Sequence, residues 1–137
     1  QACNLFYQAF DIWFQSHSLS YAALISCLES LIVFEHRDDH PAPCCTCGST
    51  QYHVMENFRS FLGIDNDNPD PERKKYINDL YKMRSNILHL GYMLLRDSHS
   101  PGYYSYKELE EIERMSNLVT VVRKRLVDWL LNVHWNI

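Results

Sequence analysis

Apolar positions recur along this chain at intervals of three and four residues, the spacing that gathers side chains on one face of an α-helix. In "NLFYQAFDIWF" they are Leu5, Phe6, Ala9, Phe10, Trp13 and Phe14. A second run, "YAALISCLESLIVFE", follows Ser18 and Ser20, either of which suits a helix N-cap, and ends among the charges of "HRDDHPAP". A third, "QYHVMENFRSFLG", stops at Gly63, a residue fitted to the left-handed position behind a helix. In "IDNDNPDPERKK", Asp70 is placed to cap, Pro71 fits the first turn, and Glu72 suits the positive end of the helix dipole. The long helix that starts there is predicted to run to about Asp97. After "SHSPGYYS", Ser105 and Glu108 match a capping box. The last helix, over roughly 106–134, carries its stripe on Leu109, Ile112, Leu118, Val119, Val122, Leu126, Trp129, Leu130 and Val133. No strand alternation and no internal repeat competes. The pattern predicts an all-α bundle of about five helices.

Composition agrees with a single domain spanning residues 1–137: 46% of residues are apolar and 22% charged, enough for one substantial core. Charged or polar groups interrupt every apolar run before it reaches membrane-spanning length, so no membrane partner is expected. No secretory leader pattern opens the chain. A start at Gln1 and an abrupt Trp-Asn-Ile end suggest a domain of a longer protein. Three of the five cysteines crowd into "CCTC", whereas a secreted disulfide framework would spread them, so a reducing cytoplasm is the expected compartment.

The net charge of −4 is unevenly distributed. Residues 1–70 hold 2 basic and 9 acidic groups, residues 71–96 hold 6 and 2, and residues 97–137 hold 5 and 6. The only net-positive segment is therefore the one containing "YINDLYKMRSNILHLGYMLL", where Arg84, Ser85, Asn86 and His89 interrupt an apolar helix. Arg84 and His89 stand five apart, about 140° around a helix axis, while Ser85 and His89 share a face. Should this helix meet a copy of itself across a two-fold axis, two such clusters converge on one groove. Arg offers a planar, permanently charged fork for phosphate oxygens, and an imidazole exchanges protons near neutral pH. Together they can cleave RNA without metal. The ribose 2′-OH attacks the adjacent phosphate, His moves protons, and Arg holds the charge that builds on phosphorus. On spacing alone, a surface Arg and a partly buried His are the better explanation of the residues.

"LYKMRSNILHLG" also resembles the motif of the HEPN superfamily, all-α domains marked by an Arg and a His four to six residues later, near one end of a long helix. It is most similar to the Apea-like HEPN branch. The "CLESL" helix, the short cysteine-bearing loop and the "ENFRSFLG" helix agree in order, so the likeness covers roughly residues 20–130. The resemblance implies a homodimeric, HEPN-like bundle acting as a metal-independent endoribonuclease that leaves 2′,3′-cyclic phosphate ends. The implied settings are toxin–antitoxin, anti-phage or RNA-processing systems, with an antitoxin or an attached sensor domain as a further partner. It assigns phosphate binding to Arg84 and proton transfer to His89, with Ser85 and Asn86 supporting. Lys74, Lys75 and Lys82 are the matching candidates for contacts to RNA. Two departures stand out: Ser85 occupies a position often held by Asn, Asp or His, and Leu90 separates His89 from Gly91. Some relatives are inactive, so a non-catalytic dimerisation or docking module, with Arg84 in a structural ion pair, is the alternative.

Other chemistry is thinner. Cys44 and Cys47 form a C-x-x-C-G turn of the kind zinc knuckles use, and His36, His40, Cys45 or His53 would have to complete a structural zinc site. Unligated thiols are the competing reading, and the RNA chemistry itself requires no cofactor. Asp65 and Asp67 could fill two positions of a calcium loop, but Asp70 replaces its required Gly and Tyr76 its terminal Glu, which excludes it. Cys3 and Cys27 are expected in the core. Tyr76, Tyr81 and Tyr92 are expected to pack the bundle or its rim rather than stack bases. His17, His53, His99 and His134 suggest no pairing.

Overall fold

A computed structural model describes residues 1–36, 54–64, 70–98 and 105–132. Every regular element among them is an α-helix: α1 (Ala2–Asp11), α2 (His17–Glu35), α3 (Val54–Phe61), α4 (Pro71–Leu90), the single-turn α5 (Leu95–Ser98) and α6 (Tyr106–Asn132). The all-α expectation holds, with five longer helices and one short one.

The hub is α2. Its apolar residues lie all round the axis, which suits a helix enclosed on every side. Leu24, Ile25, Cys27 and Leu28 are fully buried, and α1, α3, α4, α5 and α6 all pack against it. By length and mean hydropathy α2 could cross a membrane, which the sequence pattern did not lead us to expect of any segment, but more than half of it is buried inside the bundle. Phe58 and Leu62 from α3 and its C-terminal turn, Ile77 and Leu80 from α4, and Met115, Leu118 and Val122 from α6 complete the core. The α6 stripe differs from expectation at one end. Leu109 is 51% exposed, and Met115 holds the buried position instead. Cys27 is buried as predicted and its thiol is pushed up to about 12 by burial. Cys3 is exposed on the outer side of α1, because the core-facing positions of that helix belong to Ala2 and Ala9.

The helix ends follow local chemistry. Asp70 accepts from the Glu72 amide at 3.0 Å with Pro71 in the first turn, as predicted. Ser105 and Glu108 form the reciprocal box, the Ser105 amide donating to Glu108 at 2.6 Å and the Glu108 amide to Ser105 Oγ at 3.3 Å. At Gly63, with φ of 78°, the Ile64 amide reaches Arg59 O and the Gly63 amide Ser60 O, the paired bonds of a left-handed helix stop. The end of α4 is a correction. It stops at Leu90 rather than near Asp97, because Gly91 turns left-handed at φ 65° and the Tyr92 amide folds back to Asn86 O. The first helix also ends early, at Asp11, leaving Trp13 and Phe14 in the turn that follows.

The cap of α2 is a second correction. It is Ser16, whose Oγ accepts from the Leu19 amide, and neither Ser18 nor Ser20. Those two are buried and bonded elsewhere: Ser20 Oγ donates to Ala9 O at 2.7 Å, and Ser18 Oγ accepts from the Leu94 amide at 2.8 Å. A carboxylate distant in sequence completes the cap. Asp97 accepts from the His17 and Ser18 amides, each at 2.7 Å, and from Ser16 Oγ at 3.0 Å. The His17 ring also lies beside it, Nδ1 at 3.5 Å, so His17 has a partner that its sequence context did not reveal.

Burial alone would raise the Asp97 carboxyl, but its bonds from Ser18, His17 and Ser16 outweigh burial and hold it below the usual range. Burial lowers the His17 imidazole, with Asp97 opposing it. Both depressed values make the unfolded chain the better proton acceptor, so both contributions are present at neutral pH and lost on acidification. That of His17 fades below about pH 6.5 and that of Asp97 below about pH 4. Asp97→Ala is expected to cost about 2 kcal/mol in urea unfolding at pH 7. The stability difference between wild type and Asp97→Ala is expected to shrink below about pH 4, where the unfolded chain's carboxyl begins to take up a proton that the folded one still refuses.

Candidate functional site

Two surfaces of α4 separate the predicted residues. On one, Arg84 points to α2, where its Nη2 donates to Glu29 Oε2 at 2.9 Å. Both side chains are about four-fifths buried, and Arg84 Nε is shielded from solvent without a hydrogen-bond partner. The guanidinium carbon lies 6.0 Å from the centre of the Tyr81 ring, which itself packs edge-on against Phe58 at 5.4 Å. This guanidinium is committed to holding α4 on α2. A carboxylate isolated in the apolar "CLESL" run was the available signal, since a buried charge requires a partner.

On the other surface, α4 and α6 both pack on α2 without packing on each other, and a cleft of about 560 Å³ opens between them. Tyr21, Leu80, Leu94 and Met115 give it an apolar floor, and the Tyr21 hydroxyl donates to Leu80 O at 3.0 Å. Lys75, Lys82 and Asn86 line the α4 wall, while Glu111 and Arg114 line the α6 wall. Glu111 accepts from the Leu95 amide at 2.8 Å, and burial raises its carboxyl above the ordinary value. Three of the predicted residues, Lys75, Lys82 and Asn86, thus meet in one cleft. Lys74 is half-buried on α4 and lies outside its lining.

His89 is exposed in the last turn of α4, at the carbonyl end of the helix, and Ser85 is half-buried one turn before it. Within one chain the guanidinium of Arg84 and the imidazole of His89 therefore face different surroundings, as their angular separation of about 140° requires. Of the tyrosines on this segment, Tyr76 and Tyr81 pack against the core, and Tyr92 is 44% exposed. In the basic run of α6, Arg123 and Lys124 are exposed, and Arg125 lies over the Phe61 ring at 5.8 Å.

The cysteine turn at Cys44 and Cys47, with His40, Cys45 and His53, lies outside the described residues, as do Asp65 and Asp67. Among the described residues, no three His, Cys, Asp or Glu side chains gather as a metal would need. No family model, no curated protein and no solved structure matches the chain.

The Glu29–Arg84 pair is open to direct measurement. A double-mutant cycle with Glu29→Ala and Arg84→Ala, followed by urea unfolding, is expected to give a coupling of about 1–2 kcal/mol, above that of a fully solvated pair. Added salt is expected to reduce the coupling only slightly, because the pair is partly shielded.

Proposed function

We propose that this is an HEPN-like RNA-binding domain that works as a homodimer and cleaves RNA without metal, through Arg84 and His89 contributed by both copies. The observation that carries this reading is the standing of His89: an imidazole open to solvent in the last turn of the helix that also bears Arg84, Lys75 and Lys82. In this reading the 2′-oxygen of a ribose attacks the neighbouring phosphorus and the 5′-oxygen of the next nucleotide leaves. A His89 imidazole takes the proton from the first oxygen or supplies one to the second. Arg84 stabilises the phosphorane oxygens, which requires its guanidinium to exchange Glu29 for phosphate. Ser85 and Asn86 support the pair, and Lys74, Lys75 and Lys82 draw the RNA backbone toward the helix. The cytoplasmic setting, the toxin or anti-phage role, and an antitoxin or sensor partner belong to the same proposal. So does zinc at Cys44 and Cys47, as a structural ion with no part in the chemistry.

A second reading is favoured by the Glu29–Arg84 ion pair itself. With its guanidinium engaged by α2, Arg84 serves the fold, and the domain is a non-catalytic dimerisation or docking module. Incubation with single-stranded RNA in EDTA separates the two. Cleavage predicts products ending in 2′,3′-cyclic phosphate and no cutting of the matching DNA. It also predicts rates lowered at least ~100-fold in His89→Ala and in Arg84→Ala. Glu29→Gln, which frees the guanidinium without removing it, is expected to preserve or raise cleavage. If wild type and both alanine variants leave RNA intact while remaining folded, the docking module is the correct reading.

A further inference from the structure

The helix α1 has three faces where a surface helix needs only two. Ala2 and Ala9 are buried toward the bundle. Asn4, Gln8, Asp11 and Gln15 form an exposed polar line with a single charge. Between these runs a third line, Cys3, Tyr7, Phe10 and Phe14, that is both apolar and exposed: Tyr7 is 66%, Phe10 45% and Phe14 93% accessible. Within α1 the steps from Cys3 to Tyr7 to Phe10 are four and three residues, the spacing by which one helix seats side chains against another, and Phe14 extends the line from the turn that follows. At Phe10 the line is also held in shape. The Phe10 ring sits edge-on to Phe6 at 5.1 Å and stacks with Trp13 at 6.2 Å, so little ordering is left for a partner to impose.

We propose that this line is a self-association surface, on which α1 of a second copy of the chain docks antiparallel across a two-fold axis. In that arrangement Tyr7 of each copy meets Phe10 of the other, and Cys3 meets Phe14. Two observations favour a copy over other occupants. The line carries no charge, so identical faces meet without repulsion. The flanking polar line has no Lys or Arg, which a helix lying on a lipid surface would use to reach headgroups. The three aromatic residues leave about 400 Å² open per copy, so that a pair with its polar flanks buries ~1,000 Å² in all, the lower limit for specific association. An interface of this size falls in the class of weak, reversible contacts. The contact lies on α1, apart from the α4 residues of the RNA reading, and association lost in Phe14→Glu with RNA cleavage unchanged separates the two.

Sedimentation velocity on the purified chain from roughly 1 to 300 μM tests it, with circular dichroism to confirm folding of each variant. Wild type is expected to pass from monomer to dimer across this range. Phe14→Glu, at the most exposed position, is expected to weaken association at least ~10-fold by placing a charge in the seam. Adding Cys3→Lys to Phe14→Glu is expected to restore it. Cys3 lies in the first turn of α1 and Phe14 beyond its far end, so the two can pair only between antiparallel copies. A wild type that stays monomeric throughout overturns the proposal, and so does a Phe14→Glu variant that dimerises like wild type. Failure of the folded double variant to recover overturns the antiparallel arrangement. Binding of monomeric wild type to neutral phosphatidylcholine vesicles, lost in Phe14→Glu, would assign the line to lipid instead.

Discussion

A helix buried along most of its length must satisfy its buried polar groups without water, and most of the architecture here answers that demand in α2. Its buried apolar residues supply the core, but its polar ones decide where the other helices stand. Ser20 is answered by a carbonyl of α1, Ser18 by the Leu94 amide, and Tyr21 by a carbonyl of α4. The free amides at its start are answered by Asp97 of α5, and its one mid-helix carboxylate by Arg84. Each bond is worth little net, yet leaving any one unmade would expose the full desolvation cost of a buried group. Apolar packing is tolerant of small rotations and slips, whereas these directional contacts are not. They set the register of the neighbouring helices on α2.

That constraint bears directly on the reading of the motif. Arg84 answers a structural need of α2, whereas His89 answers none that the described residues reveal. In the proposed reading Arg84 would have to exchange the Glu29 carboxylate for a phosphate, and the balance depends on how easily Glu29 can be left behind. Beside this, the α4–α6 cleft gathers Lys75, Lys82 and Asn86 on the other flank of the same helix. One helix thus presents its basic side chains in two directions, and a ligand reaching both must wrap around its end.

Much of the fold was legible because it is written in local chemistry. Asp70 with Pro71, Gly63, and Ser105 with Glu108 act within a few residues of themselves, and each behaves as its sequence neighbourhood dictates. The misses share a different physics. Ser18 and Ser20 looked like caps because serine beside an apolar run usually is one, but their hydroxyls are claimed by Leu94 and Ala9 across the bundle. Gly91 was hidden inside an apolar stretch that continued past it. Cys3 and Leu109 are apolar residues left outside because two helix faces, not their own hydrophobicity, were already chosen for burial. In the candidate site, residue types and their helix were readable from spacing. Glu29 as the partner of Arg84 was not, since no periodicity within one segment reports which segment lies opposite.

The link between Asp97 and the start of α2 joins groups some eighty positions apart along the chain. A nascent polypeptide emerges from its N-terminus, so the central helix is made early but is completed late. Until the fourth helix and the short turn after it have been synthesised, two amides at the head of α2 have only solvent to bind. The order of synthesis and the order of consolidation are thereby opposed, and early release would leave a hydrophobic rod whose head is unfastened.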